Sequence, residues 1–166
     1  MTIMLRDALV IQNHRYWLSR IWDSAKPSLL FIGVNPSVAN GDIDDQTILK
    51  MVGFAQRWGY GGFHVVNLFG RISTDVRYLR YLRLREAVGR DNDYYIRKLV
   101  STADLIVPCW GNRNKLSPMQ QRRIEEVCAI LRGVSDHIQV LGLTKTGDPK
   151  HPLMLGYDTQ LMPWVP

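Results

Sequence analysis

The chain has 166 residues, of which 46% are hydrophobic and 22% charged. This length and composition favour a single domain over residues 1–166 with a sizeable core, and they exclude a disordered chain. The sequence has no apolar run of transmembrane length and no signal-peptide pattern, so we expect a cytoplasmic protein that does not bind membranes. The net charge of +6 favours a polyanionic partner, either nucleic acid or a nucleotide.

Sequence motifs for cofactors and metals are missing. Neither Cys109 nor Cys128 has the Cys or His neighbours of a zinc site. The sequence contains no Gly-x-x-x-x-Gly-Lys phosphate loop and no Gly-x-Gly-x-x-Gly. We therefore expect no cofactor and no bound metal, and a disulfide is not expected in a reducing compartment.

Two short segments near the start of the chain, 8–11 and 15–22, favour strands that pair through a turn at 12–14. Tyr16 and Leu18 fall on one side of a period-two pattern in the second segment. These strands would extend the edge of a sheet. A short helix over 15–22 is the alternative.

The stretch 28–34 is a continuous apolar run that predicts a buried strand. It ends at Asn35-Pro36 and is followed by a polar loop with three aspartates, Asp42, Asp44 and Asp45. A helix is predicted over 46–58, with Asp44 or Asp45 as its N-cap. The aspartates would also suit magnesium, an alternative that we rank below capping.

Three further apolar segments, 63–69, 104–110 and 137–141, are predicted strands, and helices are predicted over 91–101 and 118–132. Pro108 lies within the third strand, where it cannot donate to a ladder. Four strands that alternate with helices predict an α/β fold. We expect a three-layer α/β/α sandwich with a central, mainly parallel four-stranded sheet.

Between the second and third strands, residues 76–90 predict a short helix followed by a loop. Arginines alternate here with tyrosines and leucines. This pattern suits contacts with phosphates and stacking on bases. It suits a solvated helix face with aromatic packing equally well.

Polar residues follow each of the four predicted strands. They are Asn35, Pro36, Ser37, Asp44 and Asp45 after the first, Asn67 and Arg71 after the second, Trp110, Asn112 and Arg113 after the third, and Lys145 and His151 after the fourth. Because the carboxyl ends of parallel strands meet at one edge of a sheet, we expect these residues to line one pocket.

Four of these residues are the candidate catalytic groups: Asn35, Asp44, Asp45 and His151. The others are expected to contact the substrate. His151, with an ordinary pKa near neutrality, would give or accept a proton. Each also has a simpler interpretation, since Asn35 could bond its own turn, one of the aspartates could only cap a helix, and Trp110 could lie in the core.

Several motifs together resemble DUF1643, a bacterial and phage family of unknown function, over roughly residues 15–155. The motifs are Phe-Ile-Gly-Val-Asn-Pro-Ser, Asp-Asp-Gln-Thr, Trp-Gly-Tyr-Gly-Gly, Val-Asn-Leu-Phe-Gly-Arg-Ile-Ser-Thr-Asp, Gly-Arg-Asp-Asn-Asp, Cys-Trp-Gly-Asn and Gly-Leu-Thr-Lys-Thr-Gly-Asp-Pro-Lys-His-Pro-Leu. One departure is Val38-Ala39-Asn40, where the family usually has Thr-Ala-Asp. It argues against a catalytic carboxylate at position 40.

A more distant resemblance is to the uracil-DNA glycosylase superfamily. Gly33-Val-Asn-Pro-Ser37 and His151-Pro-Leu153 are similar in place and chain order to its first and last motifs. The resemblance implies a parallel four-stranded sheet between helices. It also implies a water-positioning residue in the first motif, and a last motif that binds a flipped base or its flanking backbone.

These features lead to the hypothesis of an enzyme, a DNA glycosylase-like hydrolase, acting on a nucleobase or N-glycosidic bond in DNA or a nucleotide. Asn35, Asp44 or Asp45 would position water, and His151 would stabilise the departing base. Asn67 or Asn112 would read the base edge, and Arg71 and Arg113 would hold phosphates. The alternatives are a non-catalytic module that binds a modified base or nucleotide, and an enzyme for a small non-nucleic substrate.

Overall fold

The computed structural model describes residues 4–134 and 136–166. The strands are β1 (Leu5–Ile11), β2 (His14–Ile21), β3 (Ser28–Gly33), β4 (Gly62–Asn67), β5 (Leu105–Pro108), β6 (Gln139–Val140) and β7 (Met162–Pro163). The α-helices are α1 (Gln46–Arg57), α2 (Leu84–Val88), α3 (Asn92–Val100) and α4 (Pro118–Arg132), and 3-10 helices span Val76–Tyr81 and Arg113–Lys115.

The first five strands form one mixed sheet in the order β1-β2-β4-β3-β5. β3 pairs in parallel with both β4 and β5, whereas β1–β2 and β2–β4 are antiparallel pairs. The predicted N-terminal strand pair is confirmed, and the helical alternative for 15–22 is wrong. β2 is largely buried because it lies between β1 and β4, while most of β1 is exposed.

The predicted fourth parallel strand, 137–141, is wrong as a full member of this sheet. Only Gln139–Val140 is a strand, and it pairs antiparallel with β7 in a separate two-stranded sheet. Its link to β5 is one parallel bridge, in which the Ile106 N–H donates to the His137 carbonyl at 2.9 Å. Two residues further along the same side of β5, Pro108 has no N–H to donate, so the ladder stops.

Helices cover both faces of the sheet, because alternate residues of a strand point to opposite sides. On one face, Leu29 and Phe31 pack in a core with Ile48 and Met51 of α1. On the other face, the alternate β3 residues pack against α3 and α4; this second core includes Leu30, Ile32, Ile96, Val100, Ile124 and Val127. The prediction of an α/β fold with helices around parallel strands is confirmed.

Helix caps follow the predicted chemistry. The Asp45 carboxylate accepts from the Ile48 N–H at 2.9 Å and caps α1. Ser117 and Gln120 form a reciprocal capping box at the start of α4, with Pro118 in its first turn. Across the described ranges, every helix is too short or too polar to cross a lipid bilayer.

Candidate functional site

A cavity of about 60 Å³ lies where β3 and β4 end side by side. Its lining residues are Arg15, Gly33, Val34, Asn35, Ser37, Asp45, Thr47, Ile48, Met51, Val65, Asn67 and His151. Among the residues singled out from the sequence, the structure brings together Asn35, Ser37, Asp45, Asn67 and His151 at this cavity. Their convergence follows from the parallel β3–β4 pair, whose last residues, Gly33 and Asn67, are partners in register.

Asn35 uses one end of its side chain to hold two loops together. Its Nδ2 donates to the Ser73 carbonyl at 2.8 Å and to the Pro36 carbonyl at 3.0 Å. The turn-bonding interpretation therefore accounts for the amide nitrogen. The Oδ1 atom receives no hydrogen bond from the described residues, which leaves it as the acceptor that Asn35 can offer to a ligand.

Asn67 is only 3% exposed, and its Nδ2 has no hydrogen-bond partner in the described part of the chain. A buried amide nitrogen without an acceptor costs about 1–3 kcal/mol. A Cβ on Gly33 would lie 2.6 Å from Asn67 Oδ1, so the glycine of the first motif leaves the space that this amide fills. The Asn67 carbonyl accepts from Asn92 Nδ2 at 3.0 Å, which anchors the residue from behind.

Arg15 lines the same cavity and was not among the predicted site residues. It is 3% exposed; Nη1 donates to the Ala39 carbonyl at 2.7 Å, and Nε has no partner among residues 4–134 and 136–166. Burial lowers the pKa of Arg15 to about 10, against an opposing effect of the Asp45 charge. The guanidinium is therefore still cationic at neutral pH. An arginine inside an aromatic and apolar strand was the sequence signal that could have identified it.

The structure separates the two adjacent aspartates. Asp45 lines the cavity while one of its oxygens caps α1. Asp44 does not line it: its carboxylate pairs with Arg20 at 2.8 Å and with Arg6 at 3.0 Å. Asp44 therefore ties the loop to the N-terminal strands, and the prediction that it takes part in catalysis finds no support in its position.

His151 lines the cavity together with Asn35 and belongs to the loop that follows β6. Its Nδ1 accepts from the Leu153 N–H at 3.2 Å, so the neutral ring carries its proton on Nε2. Burial, with a smaller effect of the nearby Lys115 charge, lowers the pKa of His151 to about 4, and Asp45 opposes this shift. The expected near-neutral pKa is therefore wrong, because the sequence does not show that the ring is partly buried beside Lys115. At neutral pH the imidazole is an uncharged donor.

Lys115 does not line the cavity, but its charge acts on His151, and the sequence did not single it out. Its Nζ donates to the Trp110 carbonyl at 2.5 Å, and burial lowers the pKa of its ammonium group. Gly111 lies between Lys115 and His151 with a φ of +77°, and a Cβ there would be 2.9 Å from Lys115 Nζ and 3.4 Å from the His151 Cβ. A glycine at this position lets the lysine and the histidine side chain come close.

The residues predicted after the third strand lie outside the cavity. Trp110 is buried and packs edge-on against Trp164, so its core interpretation holds. Asn112 caps a 3-10 helix by accepting from the Asn114 N–H at 2.8 Å. Arg113 forms an ion pair with the buried Asp148 at 2.8 Å. The predicted contacts of all three with substrate are not supported by these positions.

The other predicted residues also have different surroundings. Pro36 is buried, and its carbonyl accepts from the Ser73 N–H at 2.9 Å. Arg71 is half-buried, and its N–H donates to the Ala87 carbonyl at 3.0 Å. Lys145 is exposed in the loop before His151. None of these three lines the cavity.

The three loop aspartates do not form a ligand set for a cation. Asp42 is exposed, while Asp44 and Asp45 are held by arginines and by a helix N-terminus. Within the described ranges, no three His, Cys, Asp or Glu side chains are grouped as metal ligands. Cys109 and Cys128 are buried free thiols, and burial raises their pKa values to about 12 and about 11.

The fold and cavity define an α/β protein with a polar site at the carboxyl edge of its parallel strands. The chain belongs to DUF1643, a family described as protein of unknown function, whose profile matches residues 15–153. This range begins at Arg15 and ends two residues after His151, so it includes every residue that lines the cavity. No curated protein and no solved structure matches the chain.

Proposed function

We propose that the chain is an enzyme that acts on a nucleobase or its N-glycosidic bond, with this cavity as its active site. One observation carries the proposal. Arg15 and Asn67, which line the cavity, each have a buried side-chain nitrogen without a partner among the described residues, Nε and Nδ2, and the cavity is also lined by a carboxylate and a neutral imidazole. Hydrogen-bond donors, a carboxylate that accepts a proton and an uncharged imidazole that donates a hydrogen bond can together serve the hydrolysis of a base–sugar bond.

The two donors would bind the edge of the base. A carbonyl oxygen of a nucleobase would accept from Asn67 Nδ2 and from Arg15 Nε, which would satisfy both buried nitrogens. The cavity, about 60 Å³, is well below the roughly 300 Å³ of pockets for drug-sized ligands. Such a space favours recognition of one edge of a small ring over enclosure of a whole nucleotide.

The carboxylate and the imidazole would carry the chemistry. Asp45 accepts a proton from a water molecule that Asn35 Oδ1 orients, and the water oxygen bonds to the sugar C1′. The C1′–N bond breaks, and its electron pair leaves with the base. The Nε2–H of His151 donates a hydrogen bond to the negative charge that develops on the base, and a ring with a pKa near 4 remains neutral at the pH where it does so.

A second candidate function is a non-catalytic module that binds a modified base or nucleotide. It is favoured by the hydrogen bond from the Ile48 N–H to the Asp45 carboxylate at 2.9 Å, because this bond already occupies one oxygen of the proposed proton acceptor. The same donors would then serve recognition alone.

Release of free base from a panel of oligonucleotides with deaminated, alkylated, oxidised and mismatched bases tests the proposal. We expect Asp45→Asn to lower the rate by about 100-fold or more, because asparagine keeps the helix cap but accepts no proton. Asp42→Asn, in the same loop but exposed, is the matched control and should leave the rate unchanged. Ligand binding without release of any base would support the binding module instead.

A further inference from the structure

We infer that the base entering this cavity belongs to a single-stranded nucleic acid, and that the strand beside it lies in a shallow groove built from arginine and tyrosine. The groove measures about 360 Å³ and is lined by Asp75, Arg77, Tyr78, Arg80 and Tyr81; we call it the Arg–Tyr groove. The inference rests on the proposed function, because it names the class of substrate that the cavity would receive.

The groove is a solvent-facing surface on a firmly anchored segment. Leu79 is fully buried in the core, whereas Tyr81 is 77% and Tyr78 44% exposed, with ring centroids 6.5 Å apart. A solvated helix face needs charges but has no use for two exposed aromatic rings. Exposed tyrosines beside arginines provide stacking platforms for bases and contacts for phosphates.

The charge of the segment is unbalanced. Residues 71–90 contain six arginines and two acidic residues, so they carry most of the net positive charge of the chain. Arg77 pairs with Asp75 at 3.0 Å. Arg80 forms no ion pair with any described residue, and it lines the groove together with the two tyrosines. A polyanion would supply the missing counter-charge.

The groove is joined to the wall of the cavity. Asn35 Nδ2 donates to the Ser73 carbonyl at 2.8 Å, and the Ser73 N–H donates to the Pro36 carbonyl at 2.9 Å. Ser73 Oγ in turn donates to the Asp75 carbonyl at 2.8 Å, and Asp75 caps the 3-10 helix of the groove. The groove therefore begins at Asp75, two residues after Ser73, which is bonded directly to Asn35. This link lets a strand whose base reaches the cavity extend over the groove.

The exposed tyrosine rings favour a single strand over a free nucleotide or a duplex as the substrate. A free nucleotide in the cavity would leave the groove without a role. In a duplex the base faces are already stacked on one another, so tyrosine rings gain little from contact with it. An unpaired strand offers both phosphates and open base faces.

Fluorescence anisotropy with a labelled oligo(dT) of about 12 nucleotides tests the inference, with a duplex of equal length and heparin as competitors. We expect wild-type affinity to fall steeply with salt. Tyr81→Ala should weaken binding by about tenfold, and Arg80→Glu should weaken it and lower the salt slope by about one. Tyr94→Ala and Arg122→Glu, exposed residues outside the groove, are the matched controls and should bind as the wild type does.

Several results would overturn the inference: no binding of the oligonucleotide at low salt, tighter binding of the duplex, or a Tyr81→Ala variant that binds as the wild type does. If heparin competes completely and Tyr81→Ala does not change the affinity, the binding depends on charge alone. That result would also contradict the inference. A thermal shift with free nucleosides separates the two proposals. A nucleoside that stabilises the protein while oligo(dT) fails to bind leaves the proposed function standing and rejects the groove.

Discussion

Two arginines of β2, Arg15 and Arg20, are both buried, yet their side-chain nitrogens differ in how they are paired. Arg20 donates from Nε to Asp44 at 2.8 Å, from Nη1 to the Ser19 carbonyl at 2.8 Å and from Nη2 to the Asn40 carbonyl at 2.6 Å. Among the described residues, the side chain of Arg15 makes a single hydrogen bond, from Nη1 to the Ala39 carbonyl. A buried guanidinium whose nitrogens all donate hydrogen bonds to the protein holds a loop in place. One with an unpaired nitrogen can still donate a hydrogen bond to a ligand.

We expect the largest loss of stability when Arg20, the fully hydrogen-bonded arginine of the two, is replaced. We expect Arg20→Met to lower the free energy of unfolding by about 3–5 kcal/mol, because it leaves the partly buried Asp44 carboxylate with Arg6 as its one cationic partner among the described residues. Arg15→Met should lower it by less than about 2 kcal/mol, since the change also removes a buried nitrogen without a partner. Urea unfolding of both variants measures the difference. Equal losses would contradict the distinction between the two arginines.

His151 provides a pH test of the cavity. The folded pKa of about 4 lies below the ordinary value near 6.5, so between these two pH values the unfolded chain binds more protons. Stability is therefore expected to fall as the pH decreases from about 6.5 to 4, by about 3 kcal/mol from this residue. His151→Gln should remove that part of the pH dependence in urea unfolding at several pH values. A variant with the wild-type pH profile would show that the ring is not buried as described.

Gly33→Ala is expected to lower stability less than Arg20→Met does, and to displace a residue that lines the cavity. The new Cβ would lie 2.6 Å from Asn67 Oδ1, so the amide must move, at a cost of about 1–3 kcal/mol. Gly41→Ala, whose Cβ would have no neighbour closer than 3.8 Å, should change the free energy of unfolding by no more than about 0.5 kcal/mol. Thermal unfolding of both variants checks this, and similar losses at the two glycines would argue against a fitted Asn67.

Much of the cavity was predictable from the order of the chain. Asn35, Asp45 and Asn67 follow strands that the apolar pattern identifies, and parallel pairing of those strands brings their ends together. His151 was predicted to reach the same site from the loop after the fourth strand, and it lines the cavity although that strand is only two residues long. The position of a loop residue does not require the preceding strand to be long.

What could not be predicted depends on contacts between distant parts of the chain. Arg15 reaches the cavity because β2 pairs with β4, an antiparallel register that periodicity does not reveal. The choice between Asp44 and Asp45 depends on which carboxylate meets Arg20. Trp110 is covered by Trp164, which lies in a C-terminal segment with no clear pattern.

The central claim is that unpartnered donors make this cavity a site for a nucleobase. A thermal-shift comparison of the wild type with Asn67→Leu, against a panel of free bases and nucleosides, tests it most directly. We predict that at least one ligand, at about 100 times its Kd, stabilises the wild type by about 2.7 kcal/mol and raises its Tm by several degrees, and that Asn67→Leu folds stably but shows no shift. The claim is contradicted if no ligand in the panel shifts the wild type, or if Asn67→Leu responds as the wild type does.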